Sequence, residues 1–334
     1  MRSRVIFIAA ILGVVCIPAS PQQAADPEPA RLLIAFTSLS DRPLYTVVHF
    51  YEHDGRTTGK IVGKIATLNN RSDHHPALSR DGKLCVFAAE VVSKVSTILH
   101  WDISAKKIVP LPSLNKTSNA QMAPSVSADG NLISFEAWNR PGSRGRWDVM
   151  LYHRRTKKFL DTPNLNTSSG DERKPSLSHD GRWIAFTTNA ADGAGLTDVR
   201  ICDRRTEQVL PLPKLNSAYT DTEPSLSSDG RLIAFVSNRP AGDRSAAGTK
   251  DIFLYDRVEA RLLPLPGLNS PGQEQSPSLS ADGRFLAFVS ERLGSAGERD
   301  IFIYDRKTET LLTTPGLNSP KDEYDPHLIL IRKD

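Results

Sequence analysis

Cysteine is scarce in this chain, and the cysteines that occur are not spaced for a metal site. The 334 residues include three cysteines, Cys16, Cys85 and Cys202. Cys85 and Cys202 lie in apolar, strand-like stretches of different repeats, and no CxxC spacing occurs. Zinc sites with cysteine pairs need such a spacing. The sequence therefore predicts two buried free thiols.

Long apolar runs are absent beyond the first 24 residues. The chain starts with the basic "MRSR", continues with the 13-residue apolar run "VIFIAAILGVVCI" and then has the small residues of "PASPQQAA". This order is typical of a secretory signal peptide, and the run is shorter than the ~20 residues that span a bilayer. We expect a signal peptide at 1–24, a mature domain at 25–334, a periplasmic or secreted location and no later transmembrane segment. An uncleaved anchor is the alternative, and Val15 before Cys16 disfavours lipidation.

No charge of one sign dominates. Lys and Arg number 42 against 38 Asp and Glu, and the net charge falls from +4 to +2 when the signal peptide is removed. The basic residues are spread along the chain, whereas nucleic-acid binding requires a basic patch or stripe. The composition argues against a nucleic-acid partner.

Motifs of familiar hydrolases and metalloenzymes are also missing. The chain contains no G-x-S-x-G, no HExxH and no glycine-rich phosphate loop. Serines recur in the repeats without a recurring histidine to activate them, so nucleophilic catalysis has no support. We expect no enzymatic activity and no cofactor.

A repeated string is what the sequence does contain. "PSLSADGRFLAF" from Pro277 recurs as "PSLSSDGRLIAF" and "PSLSHDGRWIAF", with fainter copies further upstream. The repeat prolines are separated by 48, 51, 49, 53 and 49 residues, and they are Pro76, Pro124, Pro175, Pro224, Pro277 and Pro326. A period of ~40–50 residues with only strand signals is typical of propeller blades.

Each repeat predicts four short strands. "PSLS" is followed by a two-residue Asp-Gly turn, an apolar "RFLAFVS", then "DIFLYDR" and "RLLPLPGLN". Six copies predict an all-β, six-bladed propeller of four-stranded antiparallel blades. "PHLILI" (326–331) should pair with "RLLIAF" (31–36), because the ring then closes without an exposed edge. We expect a monomer.

The string "PSLSxDGRxIAF…DIFLYDR" resembles the WD-like repeat of TolB-type propellers. The resemblance covers roughly residues 31–331 and recurs in every unit. It does not extend to the N-terminal domain of TolB proteins, since few residues separate the expected signal peptide from the first strand. The resemblance implies the propeller fold and a place in the bacterial cell envelope.

Length variation is confined to two connections of the repeat. The intervals from the second to the third strand and from the Leu-Asn ending to the next proline vary, and both connections lie on one face of a four-stranded meander. Binding residues are concentrated in variable loops on rigid scaffolds. The candidate binding residues on this face are Arg140, Arg144, Arg146, Trp138, Trp147, Arg239, Arg244 and Arg292.

A polar residue precedes each repeat proline by three positions, near the expected channel mouth. The series consists of Asp73, Gln121, Glu172, Asp221, Glu274 and Glu323. One interpretation is a site for calcium, another divalent cation or a basic partner. The other interpretation, which a feature that repeats with the fold favours, is that each carboxylate binds a backbone amide or a loop arginine and links neighbouring blades.

Histidines are weak candidates for a metal site. Oligogalacturonate lyase, a TolB-like propeller, uses a metal held by histidines, and His74, His75 and His327 would lie on neighbouring units at the same face. Nothing in the sequence indicates that their imidazoles converge on one ion, as coordination requires.

Two functions remain open at this stage. The first is a non-catalytic exported propeller that binds an envelope protein or peptide at the variable face. The alternative is a secreted enzyme or carbohydrate-binding protein, of the lyase or hydrolase type, with a metal at the channel mouth.

Overall fold

The structure is a computed structural model that describes residues 31–40, 45–65, 72–92, 95–114, 119–240 and 248–331. The predicted signal peptide (1–24) and the candidate Arg244 lie outside these residues. Among the described residues there is no helix long and apolar enough to cross a membrane. Cys85 and Cys202 are free and buried, which confirms that prediction.

The described part of the chain forms 24 strands. In chain order they are β1 (Arg31–Leu39), β2 (Thr46–His53), β3 (Gly59–Lys64), β4 (Asp73–Leu78), β5 (Leu84–Val92), β6 (Val95–Asp102), β7 (Lys107–Val109), β8 (Gln121–Val126), β9 (Leu132–Trp138), β10 (Trp147–His153), β11 (Lys158–Leu160), β12 (Glu172–Leu177), β13 (Trp183–Thr188), β14 (Asp198–Asp203), β15 (Gln208–Leu210), β16 (Asp221–Leu226), β17 (Leu232–Ser237), β18 (Asp251–Asp256), β19 (Arg261–Leu263), β20 (Glu274–Leu279), β21 (Phe285–Ser290), β22 (Asp300–Asp305), β23 (Thr310–Leu311) and β24 (Glu323–Ile331).

The strands form six four-stranded antiparallel sheets, so the predicted six-bladed propeller is confirmed. Blade 1 has the order β24-β1-β2-β3 from the channel outward, and blades 2 to 6 take four consecutive strands each, beginning at β4, β8, β12, β16 and β20. In blade 1, Leu33 lies opposite Ile329 and Ile34 opposite Leu328. The predicted closure through the terminal strands is therefore also confirmed.

The hydrophobic core lies between the blades because the second strands are apolar on both faces. Along β1, Leu33 and Ala35 pack with blade 2, whereas Leu32, Ile34 and Phe36 pack with blade 6. A strand that is buried on both sides has a continuous run of apolar residues in its sequence, whereas a half-buried strand alternates apolar and polar residues. This explains the uninterrupted "RLLIAF" and its copies.

Two recurring polar residues hold the fold together, one between neighbouring blades and one within a blade. The third-strand tyrosine hydroxyl donates to a proline carbonyl of the preceding blade, as in Tyr152 to Pro112 (2.6 Å) and Tyr255 to Pro213 (2.7 Å). The asparagine of the Leu-Asn ending binds both backbone groups of one third-strand residue: Asn269 Oδ1 accepts from Ile252 N (3.0 Å) and its Nδ2 donates to Ile252 O (2.9 Å). These repeated contacts account for the repeated letters.

Two local predictions were wrong. The loop after the first strand is longer than a two-residue turn: β20 ends at Leu279 and β21 begins at Phe285, and within it only Gly283 has a positive φ. The innermost strands also start three residues before the repeat proline rather than at it. The reason is a bulge at the residue before each proline, where the strand register shifts.

Candidate functional site

The propeller has two unlike faces. The hairpin face carries the loops that join the first and second strands, such as 280–284, and the turns before the fourth strands. The loop face carries the connections from the second to the third strand, such as 139–146 and 291–299, and the connections between blades.

The polar groups of the hairpin face bind each other in the same way in blade after blade. In blade 6, Ser280 Oγ donates to Asp282 Oδ1 (2.7 Å), which also accepts from Arg284 N (3.0 Å). The same hydroxyl accepts from Phe285 N (2.9 Å). Equivalent serine–aspartate pairs at 2.6–2.7 Å join Ser79 to Asp81, Ser127 to Asp129, Ser178 to Asp180 and Ser227 to Asp229.

Arginines of the hairpin face are also paired within the blade. Arg182 contacts Asp203 (2.7 Å) and Arg231 contacts Asp256 (2.7 Å). The arginine hydrogen bonds lower the pKa of Asp203 and of Asp256. These groups are engaged before any partner arrives.

The polar series before the prolines lies at the loop face but does not line the channel. Its six members are 0–2% exposed. Glu274 accepts from Ser270 Oγ (2.5 Å) and Ser290 Oγ (2.7 Å), and Glu172 accepts from Thr167 N (2.9 Å) and Thr188 Oγ1 (3.1 Å). Burial raises the pKa of both carboxyls despite these hydrogen bonds. Gln121 donates to Leu114 O (3.0 Å).

Two of the candidate arginines, Arg239 and Arg292, point inward to this series. Their side chains are 12% and 15% exposed. Arg239 contacts Asp221 (2.5 Å), and Arg292 lies 3.6 Å from Glu274. Neither guanidinium is presented to a partner at the surface.

A second group of candidates forms an exposed aromatic patch in blade 3. Trp138 and Trp147 face each other across β9 and β10 with ring centroids 5.3 Å apart in an edge-to-face arrangement. The Arg146 side chain is 75% exposed and lies 5.9 Å from the Trp138 ring. Arg173 lies 4.4 Å over the Trp147 ring and connects the patch to the innermost strand of blade 4. We call Trp138, Trp147 and Arg146 the tryptophan patch.

The other candidates in this loop have local roles. The Arg140 guanidinium lies 3.8 Å from the centroid of the Phe159 ring, and burial lowers its pKa. Arg144 is exposed, and its backbone N–H donates to Asp148 (2.6 Å), which holds the loop in place.

Apart from His75, the residues that line the channel on the loop side were missed in the sequence. They stand directly before the six repeat prolines, and their φ angles lie between 47° and 53°. With these prolines they surround a cavity of about 120 Å³. We call them the channel ring: His75, Ala123, Lys174, Glu223, Ser276 and Asp325. The signal that would have found them is chemical difference: six different residue types occupy equivalent positions in an otherwise uniform repeat.

The channel ring carries charges of both signs. Lys174 Nζ lies 3.6 Å from Glu223 Oε1, and the Lys174 backbone N–H donates to Glu136 (2.8 Å). Burial alone would lower the Lys174 pKa, but Glu223, Asp325 and Glu136 raise it. Burial would likewise raise the Asp325 pKa, but its interactions with His75, Lys174 and His74 lower it. Lys174 and Asp325 are therefore charged at neutral pH, which makes the channel polar.

The three candidate histidines do not form a metal site. Burial lowers the pKa of His75 and brings that of His327 to about 4, so both rings are neutral. His327 Nδ1 accepts from Leu78 N (3.2 Å), and His74 Nδ1 lies 3.2 Å from Thr46 Oγ1. Within the described ranges, no group of three or more His, Cys, Asp or Glu side chains is arranged to hold a metal ion.

Comparison with solved structures shows the same fold in several bacterial proteins. The chain is similar to TolB from Acinetobacter baumannii (TM-score 0.63, 18% identity, 90% of this chain and 66% of that chain). It is also similar to a putative TolB from Agrobacterium tumefaciens (TM-score 0.57, 15% identity, 91% and 99%). A third similar structure is an oligogalacturonate lyase in complex with manganese (TM-score 0.52, 13% identity, 84% and 72%).

These similarities show a shared propeller fold. The chain spans slightly less than two thirds of the Acinetobacter protein. No protein-family model matches the sequence, and no curated protein matches it.

Proposed function

We propose that this protein is a non-catalytic, exported propeller of the bacterial cell envelope that binds a protein or peptide at its loop face. The tryptophan patch is the observation that carries the proposal. Tryptophan and arginine are enriched among the residues that dominate binding energies, and here Trp138 at the end of β9 and Arg146 in the loop of varying length that follows are both exposed. The hairpin face offers mainly groups that are already paired.

The position of the patch supports an extended ligand. Arg173 contacts Trp147 and also Glu136 (2.9 Å), and Lys174 of the channel ring follows it in the chain. A peptide anchored on the indole rings would thus reach charged groups at the channel mouth within a short distance. Charged donors and acceptors in such a recess give orientation and specificity.

The envelope location is supported by two independent features. The first 24 residues have the layout of a secretory signal, and two of the structurally similar proteins are a TolB and a putative TolB. Both features agree with a propeller that works outside the cytoplasm.

The test is capture of a partner from envelope extract with residues 25–334 as bait, followed by affinity measurements on two variants. Trp138→Ala with Arg146→Ala removes the exposed anchors of the loop face. Val258→Ala with Arg261→Ala removes a matched apolar and basic pair from the hairpin face, where the Val258 residue is 67% and the Arg261 side chain 56% exposed.

We expect the first variant to weaken binding about tenfold or more, as for loss of a dominant anchor, and the second to bind like the wild type. Melting curves of both variants should match the wild type. Loss of binding in the hairpin-face variant alone would contradict the assignment of the face.

A second candidate function, a secreted carbohydrate enzyme, is favoured by the similarity to the oligogalacturonate lyase. It predicts manganese-dependent cleavage of oligogalacturonate by the purified protein. Turnover of this substrate would replace the binding proposal, whereas a captured partner without turnover would support it.

A further inference from the structure

Blade 5 contains a binding site for its own arginine. Arg239 stands four residues after Phe235, and its guanidinium carbon lies 5.3 Å from the Phe235 ring centroid and 5.0 Å from that of Phe253. Its Nη2 donates to Leu215 O and to Asp221 Oδ1, both at 2.5 Å. Its Nε donates to Ser237 Oγ (2.9 Å).

Blade 6 repeats this arrangement with Arg292. The guanidinium carbon lies 5.4 Å from the Phe288 ring centroid and 4.3 Å from that of Phe302. Nη2 donates to Leu268 O (2.7 Å) and lies 3.6 Å from Glu274, and Nε donates to Ser290 Oγ (3.0 Å). A cross-strand aromatic pair, a serine, the carbonyl of the Leu-Asn leucine and the buried carboxylate thus form one receptor for a guanidinium.

Blade 1 has every part of this receptor except the arginine at that position. Phe36 and His49 form the cross-strand pair, with ring centroids 5.6 Å apart and planes inclined by 25°. Ser38, Leu317 and Glu323 occupy the positions of the serine, the leucine and the carboxylate. The residue four positions after Phe36 is Ser40.

These receptor groups line a cavity at the loop face of about 280 Å³. We call it the blade 1 cavity, and its receptor residues are Phe36, Ser38, His49, Leu317 and Glu323. Its volume is close to the lower limit of small-ligand pockets, about 300 Å³. In blade 4 the residue at the arginine position is Ala190, and it lies so close to Gly170 that a Cβ on this glycine would come within 2.8 Å of the Ala190 nitrogen.

The charges around the blade 1 cavity suit a cation at its base. Glu323 is 1% exposed and accepts from Ser319 Oγ (2.7 Å) and Ser38 Oγ (3.1 Å). Burial raises the pKa of Glu323 to about 7, and Asp300 contributes in the same direction. Burial lowers the pKa of His49, so this ring is neutral and free of charge repulsion toward a cation. Lys64 lies at the lining of the cavity and favours a ligand that also has a carboxylate or carbonyl group.

We propose that the blade 1 cavity is a guanidinium-binding site that takes an arginine side chain of a peptide partner. The planar guanidinium stacks on aromatic rings and donates in several directions at once, which a lysine ammonium cannot match. The statement that the arginine belongs to a peptide partner rests on the proposed function. The site itself is inferred from the equivalent positions in blades 5 and 6 and does not depend on that function.

The experiment uses N-acetyl-L-arginine amide as the probe and its lysine counterpart as the control, with calorimetry on the mature protein. We expect saturable binding of the arginine probe and at least fivefold weaker binding of the lysine probe. Affinity should increase from pH 6 to pH 8 because Glu323 loses its proton in this range. An arginine-containing peptide that binds no tighter than the free probe would show that the source is a free guanidinium and would overturn the peptide assignment.

Two variants locate the bound probe. Glu323→Gln removes the acceptor and should weaken binding at least tenfold, whereas Glu274→Gln, at the equivalent position of blade 6, should leave it unchanged. Ser40→Arg supplies the missing arginine from the chain itself, so it should abolish probe binding and raise the melting temperature. This second variant keeps the test valid if Glu323→Gln does not fold.

Three results of the binding experiment would contradict the guanidinium-site proposal. Arg42 follows β1 in the sequence and lies outside the described residues, so an Arg42→Ala variant tests whether the chain itself supplies a guanidinium. If the wild type binds no probe while Arg42→Ala does, or if neither binds, the proposal is wrong. Binding that is insensitive to Glu323→Gln and Ser40→Arg would overturn it as well. Because no macromolecule is used, such a failure leaves the tryptophan patch proposal untouched, and the reverse also holds.

Discussion

The two faces of the propeller use the same backbone conformation under different constraints. Each of the hairpin loops of blades 2 to 6 has a glycine with φ between 67° and 71°, and each connection after the fourth strand has a residue with φ between 65° and 74°. The hairpin position is glycine in all five blades, whereas the loop-face position is occupied by Ser113, Asn164, Lys214, Gly267 and Gly316.

The neighbouring blade explains this difference. A Cβ on Gly230 would lie 2.4 Å from the Trp183 side chain of the preceding blade, and one on Gly283 would lie 2.5 Å from Leu232. A Cβ on Gly267 would meet nothing within 4 Å. A left-handed backbone therefore tolerates side chains where space is open, and close blade packing is what restricts this position of the first-to-second-strand loops to glycine. The loop face is free to vary, which is the property that a binding surface needs.

The largest effect on stability should come from removing β24, which closes the ring and runs from one face of the propeller to the other. Deletion of residues 326–334 removes Leu328 and Ile329, which are 2% and 1% exposed, and leaves β1 without most of its inner partner strand. Burial of each such side chain contributes about 1.5–3 kcal/mol, against a total stability of about 5–15 kcal/mol. We expect loss of the cooperative thermal transition, followed by circular dichroism. Deletion of 332–334 alone is the control, and an unchanged melting temperature in the longer deletion would refute closure as the source of stability.

A smaller effect should separate the two glycine positions. Gly230→Ala adds a clash with Trp183 to the backbone strain, so we expect a loss of about 2–4 kcal/mol in the free energy of unfolding. Gly267→Ala adds only strain, about 1 kcal/mol. Urea denaturation measures both. Equal losses would mean that the backbone angle, and not the neighbouring blade, restricts the hairpin face.

The smallest effect concerns the ionisation of the buried carboxyls. At the hairpin face, burial alone would raise the pKa of Asp229, but hydrogen bonds from Arg231 N and Ser227 lower it, whereas burial raises that of Glu323 at the loop face from 4.5 to about 7. Between pH 4.5 and about pH 7 the folded state binds more protons at Glu323 than the unfolded state does. The contribution of Glu323 to the free energy of unfolding therefore falls as the pH rises through this range.

We therefore expect Glu323→Gln to flatten the decrease in stability between pH 5 and pH 7.5, measured as urea midpoints at several pH values. Asp229→Asn should have the opposite effect on the slope at lower pH. A Glu323→Gln profile parallel to that of the wild type would show that this carboxyl is not responsible.

The fold was predictable from the sequence because each blade repeats its own contacts. The apolar second strand recurs in every copy, and the tyrosine performs one structural task in the four blades that have it, as does the Leu-Asn asparagine in the copies that the structure describes, so repetition predicts their role. The terminal strands were predictable because each needs a partner. The sequence contained no comparable pattern that would show whether a polar side chain points into the blade, toward the channel or toward solvent.

The bulge before each proline shows why the candidate site was only partly predictable. Counting residues back from Pro277 suggests that Glu274 lies near the channel mouth, but the left-handed Ser276 shifts the register and turns its own side chain toward the channel. Arginines were ambiguous for a similar reason. Arg239 and Arg146 both follow second strands, and only three-dimensional packing shows that one stacks on buried phenylalanines and the other is exposed.

Because the last strand closes the ring, β1 has to wait for its inner partner until synthesis of the chain is nearly complete. β1 is made early and β24 last, with nearly 300 residues between the paired Leu33 and Ile329. At the usual 5–20 residues per second, the ribosome needs roughly 15–60 s to produce them. For that time the inner edge of β1 is open and apolar, and such edges pair readily with other chains. We therefore expect that slow synthesis of the segment that contains β24 increases aggregation of the nascent protein before any folded molecule exists.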